Sequence, residues 1–227
     1  MRKNSAENSA DKQPEASADM ISCELIFWRH GNCEDEGVLR GKTDSAPEPS
    51  AIQTIAERAA NMPVPHAIFS SPRRRCLELA EAMALPLGQA VQLQPGLAEM
   101  DFGDWDGRKL AELWQHEPME AWWQDPWGQN AKKQLPPNGE TMQAFEARVD
   151  EVIGQILCDV QDGERLWLVT HGGVIRRTMA SILGADGVAG FYNRLEIPYG
   201  ACVRTRWFAT AQGWQGQVIW QNMELQP

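Results

Sequence analysis

Apolar and polar positions along this chain follow two periods, and the switches between them mark its elements. Leu25-Ile26-Phe27-Trp28 is a short unbroken apolar run and predicts a strand at about 24–28. After a loop reaching Pro49, Ile52, Ile55, Ala56 and Ala59 recur at helical spacing. Ala67-Ile68-Phe69-Ser70 reads as a second strand, and Ser71-Pro72 as a helix start with Ser71 at the N-cap and Pro72 in the first turn. That helix carries Cys76, Leu79, Ala80 and Met83 and stops near Pro86; Val91-Gln92-Leu93 then alternates like a strand. Residues 105–137 are broken by prolines into short helical pieces. Met142, Phe145, Val149, Val152, Ile153, Ile156, Leu157 and Val160 form one long apolar helix face. A strand at 166–170, a helix from Val174 to Leu183 and an antiparallel pair, 201–208 with 214–221, joined near 211–213, complete the pattern. Strands alternating with helices predict a single three-layer α/β/α domain with a mostly parallel sheet. A polar stretch, 1–20, precedes it and is predicted to be a disordered tail, leaving 21–227 as the domain.

Two of the predicted strands end alike. Phe27-Trp28-Arg29-His30-Gly31 and Leu168-Val169-Thr170-His171-Gly172-Gly173 each close an apolar run with histidine and glycine, in a chain with four histidines. Loops at the C-terminal ends of parallel strands are where open α/β sheets carry their chemistry. Glycine beside each imidazole lets backbone N–H groups approach a ligand.

Composition narrows the chemistry. The formal net charge of −10 argues against a nucleic-acid surface, and no stretch approaches the roughly 20 apolar residues of a membrane span. Cys23, Cys33, Cys76, Cys158 and Cys202 contain no Cys-x-x-Cys pair, so neither a disulfide framework nor a zinc site is expected. With no apolar leader core in 1–20, a cytoplasmic protein is expected. In an acidic chain, an anionic ligand needs a local cluster of arginines. Arg29 beside His30 and the run Arg73-Arg74-Arg75 are the candidates.

Imidazole attacks phosphorus readily, and a phosphohistidine splits one hard displacement into two easier ones. The phosphoryl group in flight needs fixed positive groups around it. Arg29, one arginine of 73–75, a protonated His171 and the Gly172 N–H are candidates for that role. Arginines in a helix point about 100° apart, so one can enter the site while its neighbours stay solvated. A carboxylic acid is also needed, to protonate the leaving group and then activate water. Glu99, in a glycine-bordered loop, is one candidate, with Asp101, Asp104 and Asp106 as competitors. No Gly-x-x-x-x-Gly-Lys loop is present, and Arg29 would repel a divalent ion from His30, so no metal or cofactor is expected.

Four motifs in order extend this reading: Arg29-His30-Gly31, Ser70-Ser71-Pro72-x-x-Arg75, Leu97-x-Glu99-Met100-Asp101-Phe102-Gly103-x-Trp105-x-Gly107, and Thr170-His171-Gly172-Gly173-Val174-Ile175-Arg176. Together they resemble the histidine phosphatase superfamily, also called phosphoglycerate-mutase-like, over about 24–208. The resemblance implies His30 as nucleophile, Glu99 as the acid–base group, Arg29, Arg75 and His171 as phosphate ligands beside Gly172, and the phosphoglycerate-mutase-like fold. Leu39-Arg40-Gly41-x-Thr43-Asp44, Arg75-Cys76-Leu77-x-Leu79-Ala80 and Trp123-x-Asp125-Pro126 are most similar to its α-ribazole phosphatase branch. That implies removal of the 5′-phosphate of α-ribazole 5′-phosphate or cobalamin 5′-phosphate. A phosphoglycerate mutase, or a phosphatase of another small ester, is the alternative. Arg40 joins the binding set, and Trp122 and Trp123 are expected to wall in an aromatic leaving group. The sequence departs from the family at Asn32 and Cys33, which follow Arg-His-Gly, and at Arg73, where leucine is usual. The expected partner is a small phosphate monoester, with neither nucleic acid nor membrane, and a homodimer as the assembly to test.

Overall fold

A six-stranded sheet forms the middle layer of the structure, a computed structural model that describes residues 21–128 and 136–220. The predicted tail, 1–20, lies outside the described residues. In chain order the main elements are β1 Ser22–Arg29, α1 Pro49–Ala60, β2 Ala67–Ser70, α2 Arg74–Ala84 and β3 Val91–Leu93. They continue with α3 Leu110–His116, α4 Met119–Gln124, α5 Met142–Cys158, β4 Arg165–Thr170, α6 Gly172–Leu183, α7 Phe191–Arg194, β5 Cys202–Thr210 and β6 Gly213–Ile219. The strand order is β3-β2-β4-β1-β5-β6. The pairs β3–β2, β2–β4 and β4–β1 are parallel, whereas β1–β5 and β5–β6 are antiparallel.

The unbroken apolar runs have a simple cause, since β1 and β4 are covered on both faces. Leu25, Phe27, Leu166 and Leu168 pack with the apolar face of α5 and with α6. Ile26, Trp28, Trp167 and Val169 pack on the other side against α1 and α2. The face predicted for α5 is buried from Met142 to Leu157, and Val160 is buried just beyond the helix end. A buried Arg177 ties α6 to α5 through Asp150 and also pairs with Asp186.

One expected boundary moves. Ser71 and Pro72 precede α2 rather than opening it; the N-cap is Arg73, which makes no side-chain capping bond. The Ser71 hydroxyl lies against His171 instead. The first turn of α2 is satisfied from outside the helix, where Asp44 Oδ1 accepts from the Arg74 N–H at 2.8 Å.

Candidate active site

The register of β1 against β4 builds the site. Arg29 pairs with Thr170, so the residues that follow, His30 and His171, leave adjacent parallel strands side by side. Their ring centroids are 5.2 Å apart and steeply inclined. The His30 Nδ1 lies 2.7 Å from Gly31 O; with Nδ1–H donating there, the Nε2 lone pair is left exposed to an incoming group. The His171 Nε2 lies 2.8 Å from Ser71 Oγ and 3.4 Å from Cys76 Sγ. Burial, reinforced by the Arg75 charge, holds both histidines well below the ordinary value. Both effects favour the neutral form of His171 in the site without a phosphoryl group.

This pair makes stability pH-dependent. The unfolded chain takes protons onto these histidines below about pH 6.5, whereas the folded chain does not, so stability falls as pH drops below that value. The loss continues with falling pH until the depressed folded values are reached. Urea unfolding at pH 7 and pH 5.5 tests this, and an equal or higher midpoint at the lower pH would contradict it.

The arginines divide as helix geometry requires. Arg75 is fully buried beneath the site, while Arg74 is exposed and paired with Glu78. The Arg75 terminal nitrogens donate to Thr43 O at 2.8 Å and Gly41 O at 2.9 Å, which leaves Nε without a partner. Its fork thus grips the 41–43 loop, and what remains for an anion is the Nε–H, the fork hydrogens that these carbonyls leave unused, and the charge. Asp106 fixes that loop from the other side, accepting from the N–H groups of Gly41, Lys42 and Thr43 at 3.1, 2.7 and 2.8 Å. Arg29 donates to Ile197 O and lies 3.9 Å from the centre of the Tyr199 ring. Arg40 Nε donates to Ser45 Oγ at 3.0 Å, and its Nη2 has no partner. Arg73 is half-buried and lines a separate cleft that Glu99 also borders.

Glu99 is the carboxylate that reaches His30's cavity. Its two oxygens accept from Met100 N and Gly173 N, each at 3.1 Å. A Cβ at 173 would lie 2.1 Å from Glu99 Oε1, so any larger residue there would displace the Glu99 carboxylate. The competing carboxylates are engaged elsewhere: Asp101 with Lys42 and Gly103 N, Asp104 with Asn138, and Asp106 with the 41–43 loop. The Glu99 loop is itself clamped. Arg148 donates to Gly96 O at 2.9 Å and Ala98 O at 3.0 Å while paired with both oxygens of Glu140.

Above His30 opens a cavity of about 310 Å³. Arg29, Arg40, Glu99, Gly172 and Arg176 give it polar walls, while Trp114, Trp123 and Tyr199 give it aromatic ones. The expected Trp122–Trp123 wall is redrawn. Neighbours on a helix point about 100° apart, so Trp122 is buried edge-on to Phe102 and Trp105 while Trp123 faces the cavity. The exposed Trp114 on α3 takes the other position. Tyr199, in the irregular loop before β5, and Arg176 were not among the residues the sequence singled out for the site. Among the described residues, no cluster of His, Cys, Asp and Glu is arranged to hold a metal ion, and no helix is long and apolar enough to cross a membrane.

The sequence profile of the histidine phosphatase superfamily (branch 1) matches residues 25–217. The chain belongs to the histidine phosphatase superfamily. It is therefore a phosphoric monoester hydrolase by family. This superfamily member is 37% identical over 182 residues to the adenosylcobalamin/α-ribazole phosphatase of Escherichia coli, covering 76% of this chain and 85% of that one. The Salmonella typhimurium protein of the same name is 31% identical over 209 residues, covering 87% and 98%. In fold it matches a mycobacterial glucosyl-3-phosphoglycerate phosphatase at TM-score 0.74 and 20% identity, over 88% of this chain and 99% of that one. It also matches the α-ribazole phosphatase of Shigella flexneri at TM-score 0.69 and 22% identity, over 86% and 95%.

Proposed function

We propose that this phosphatase works through a phosphohistidine on His30, and that its substrate is α-ribazole 5′-phosphate or cobalamin 5′-phosphate. The observation that carries the mechanism is one cavity that holds His30, Arg29, Arg40 and Glu99 together, with the His171 ring against His30 and the Arg75 charge close to both. The His30 Nε2 lone pair attacks phosphorus as the ester P–O bond breaks, and Glu99, as the carboxylic acid, gives its proton to the departing oxygen. Glu99, now a carboxylate, then takes a proton from water. That water attacks the phosphohistidine, the P–N bond breaks, and inorganic phosphate and neutral His30 are regenerated. The guanidiniums and the α6 N-terminus balance the charge on the phosphoryl oxygens throughout.

The aromatic walls and the two curated relatives support the choice of substrate. A flat base between Trp123 and Trp114 gains roughly 1–3 kcal/mol per stacking contact, judged from base–aromatic pairs. A three-carbon phosphoacid gains none of this. In an assay of α-ribazole 5′-phosphate, 3-phosphoglycerate and p-nitrophenyl phosphate, the first is expected to give the highest kcat/KM. Trp123→Leu should lower that value about 5- to 150-fold, with a smaller loss on 3-phosphoglycerate. A wild type that prefers 3-phosphoglycerate would overturn the choice of substrate.

A further inference from the structure

Arg176 is a cation without a counter-ion. No ion pair among the described residues includes it, and its one hydrogen bond runs from Nε to Leu195 O at 2.8 Å. By contrast, Arg75 is held by loop carbonyls and Arg148 by Glu140. Among the described residues the Arg176 terminal nitrogens have no acceptor. Burial pulls the guanidinium pKa down from its ordinary value, and nearby Glu99 acts in the opposite direction. A partly buried cation with its terminal nitrogens unpaired and open to a cavity is placed to take a ligand's acceptor oxygen.

Its position says which part of a ligand it meets. Arg176 lines the 310 Å³ cavity over His30 and also a smaller, largely apolar one of about 70 Å³, and it stands at their junction with Glu99, Phe102 and Trp123. One of its terminal nitrogens lies 3.1 Å from the point where a Gly172 Cβ would sit, and the Arg29 Cζ lies 3.3 Å from that same point. The side chain thus neighbours the phosphoryl position through Arg29 and the protonated ester oxygen through Glu99.

We infer that Arg176 forms a subsite for the leaving group, its terminal nitrogens binding an acceptor oxygen a few bonds beyond the ester oxygen. This rests on the reading of His30 as nucleophile and Glu99 as acid. The substrates it favours are phosphate monoesters whose alcohol carries such an oxygen, either a sugar hydroxyl or a carboxylate. A simple aryl phosphate offers none there. A ribose 5′-phosphate does, so the subsite agrees with the proposed substrate and adds a contact separate from ring stacking.

The test compares kcat/KM of the full chain and of Arg176→Met on ribose 5-phosphate, O-phosphoserine and p-nitrophenyl phosphate. The loss on at least one of the first two should exceed the loss on p-nitrophenyl phosphate about tenfold or more, as for a charge-assisted hydrogen bond. A greater loss on O-phosphoserine identifies a carboxylate as the preferred group; a greater loss on ribose 5-phosphate identifies a hydroxyl. Arg176→Lys keeps the stem packed and should give the same ranking at reduced size, which covers a methionine variant that does not fold. Equal losses on all three esters would place Arg176 in the phosphoryl cradle or the scaffold and overturn the subsite, as would no loss on any. A wild type that turns over none of the three would instead overturn the phosphatase reading beneath it.

Discussion

His30→Ala is expected to lower turnover about 10⁴- to 10⁶-fold, the scale seen when a covalent nucleophile is removed. Three features make His30 hard to replace. Its Nδ1 contact with Gly31 O aims Nε2 outward, burial keeps the ring neutral at pH 7, and its wall is shared with Arg29, Arg40 and Glu99. The other imidazole cannot substitute, because His171 is fully buried with Nε2 against Ser71. Rapid quench into base of wild type with radiolabelled phosphate ester should trap a base-stable phosphoprotein that is lost on later acid treatment and is absent from the alanine variant. The variant should also lose about half of the pH-dependence of stability that the histidine pair creates, since one of the two linked groups is gone. Substantial turnover by a folded His30→Ala protein would end the covalent mechanism.

The elements that stand in the sequence are those fixed by local periodicity or by strand burial. The doubly covered runs of β1 and β4, the α5 face and the terminal hairpin all fall where the pattern puts them. So does the proximity of His30 and His171, because two parallel strands with histidine at equivalent ends need only pair in register. What the sequence does not show is set by contacts far along the chain. Ser71-Pro72 has the local form of a helix cap, yet the hydroxyl meets His171, 100 residues on, and Asp44, 30 residues before Arg74, caps the helix instead. Residue spacing gives no sign that the Arg75 fork closes on a loop some 32 residues earlier. Arg176 did leave a signal, one helical turn after Gly172 on α6, but whether a turn-spaced arginine faces a cavity or solvent depends on what packs over it. Trp122 and Trp123 show the same limit in small: adjacent indoles must point apart, and only the fold says which one is core.

Glu99→Gln should cost about 10²–10⁴-fold on alkyl phosphates, since an amide keeps the size of the side chain but cannot deliver the proton. The geometry adds a complication. Both carboxylate oxygens accept from backbone N–H groups, and an amide NH₂ cannot replace either acceptor. Some loss therefore comes from a displaced side chain, even with Arg148 and Glu140 still clamping the loop below. Changing the leaving group separates the two effects. p-Nitrophenolate departs without a proton, so His30 should still be phosphorylated by p-nitrophenyl phosphate at close to the normal rate. Hydrolysis of that phosphohistidine still needs Glu99 to activate water, so the second step becomes limiting. The variant should then release a burst of p-nitrophenolate about equal to the enzyme present and accumulate phosphoprotein, followed by a slow steady rate. With an alkyl ester the first step is already blocked, and neither burst nor phosphoprotein should be seen. Equal slowing on both esters with no burst would make Glu99 a structural or electrostatic group and remove it as the proton carrier.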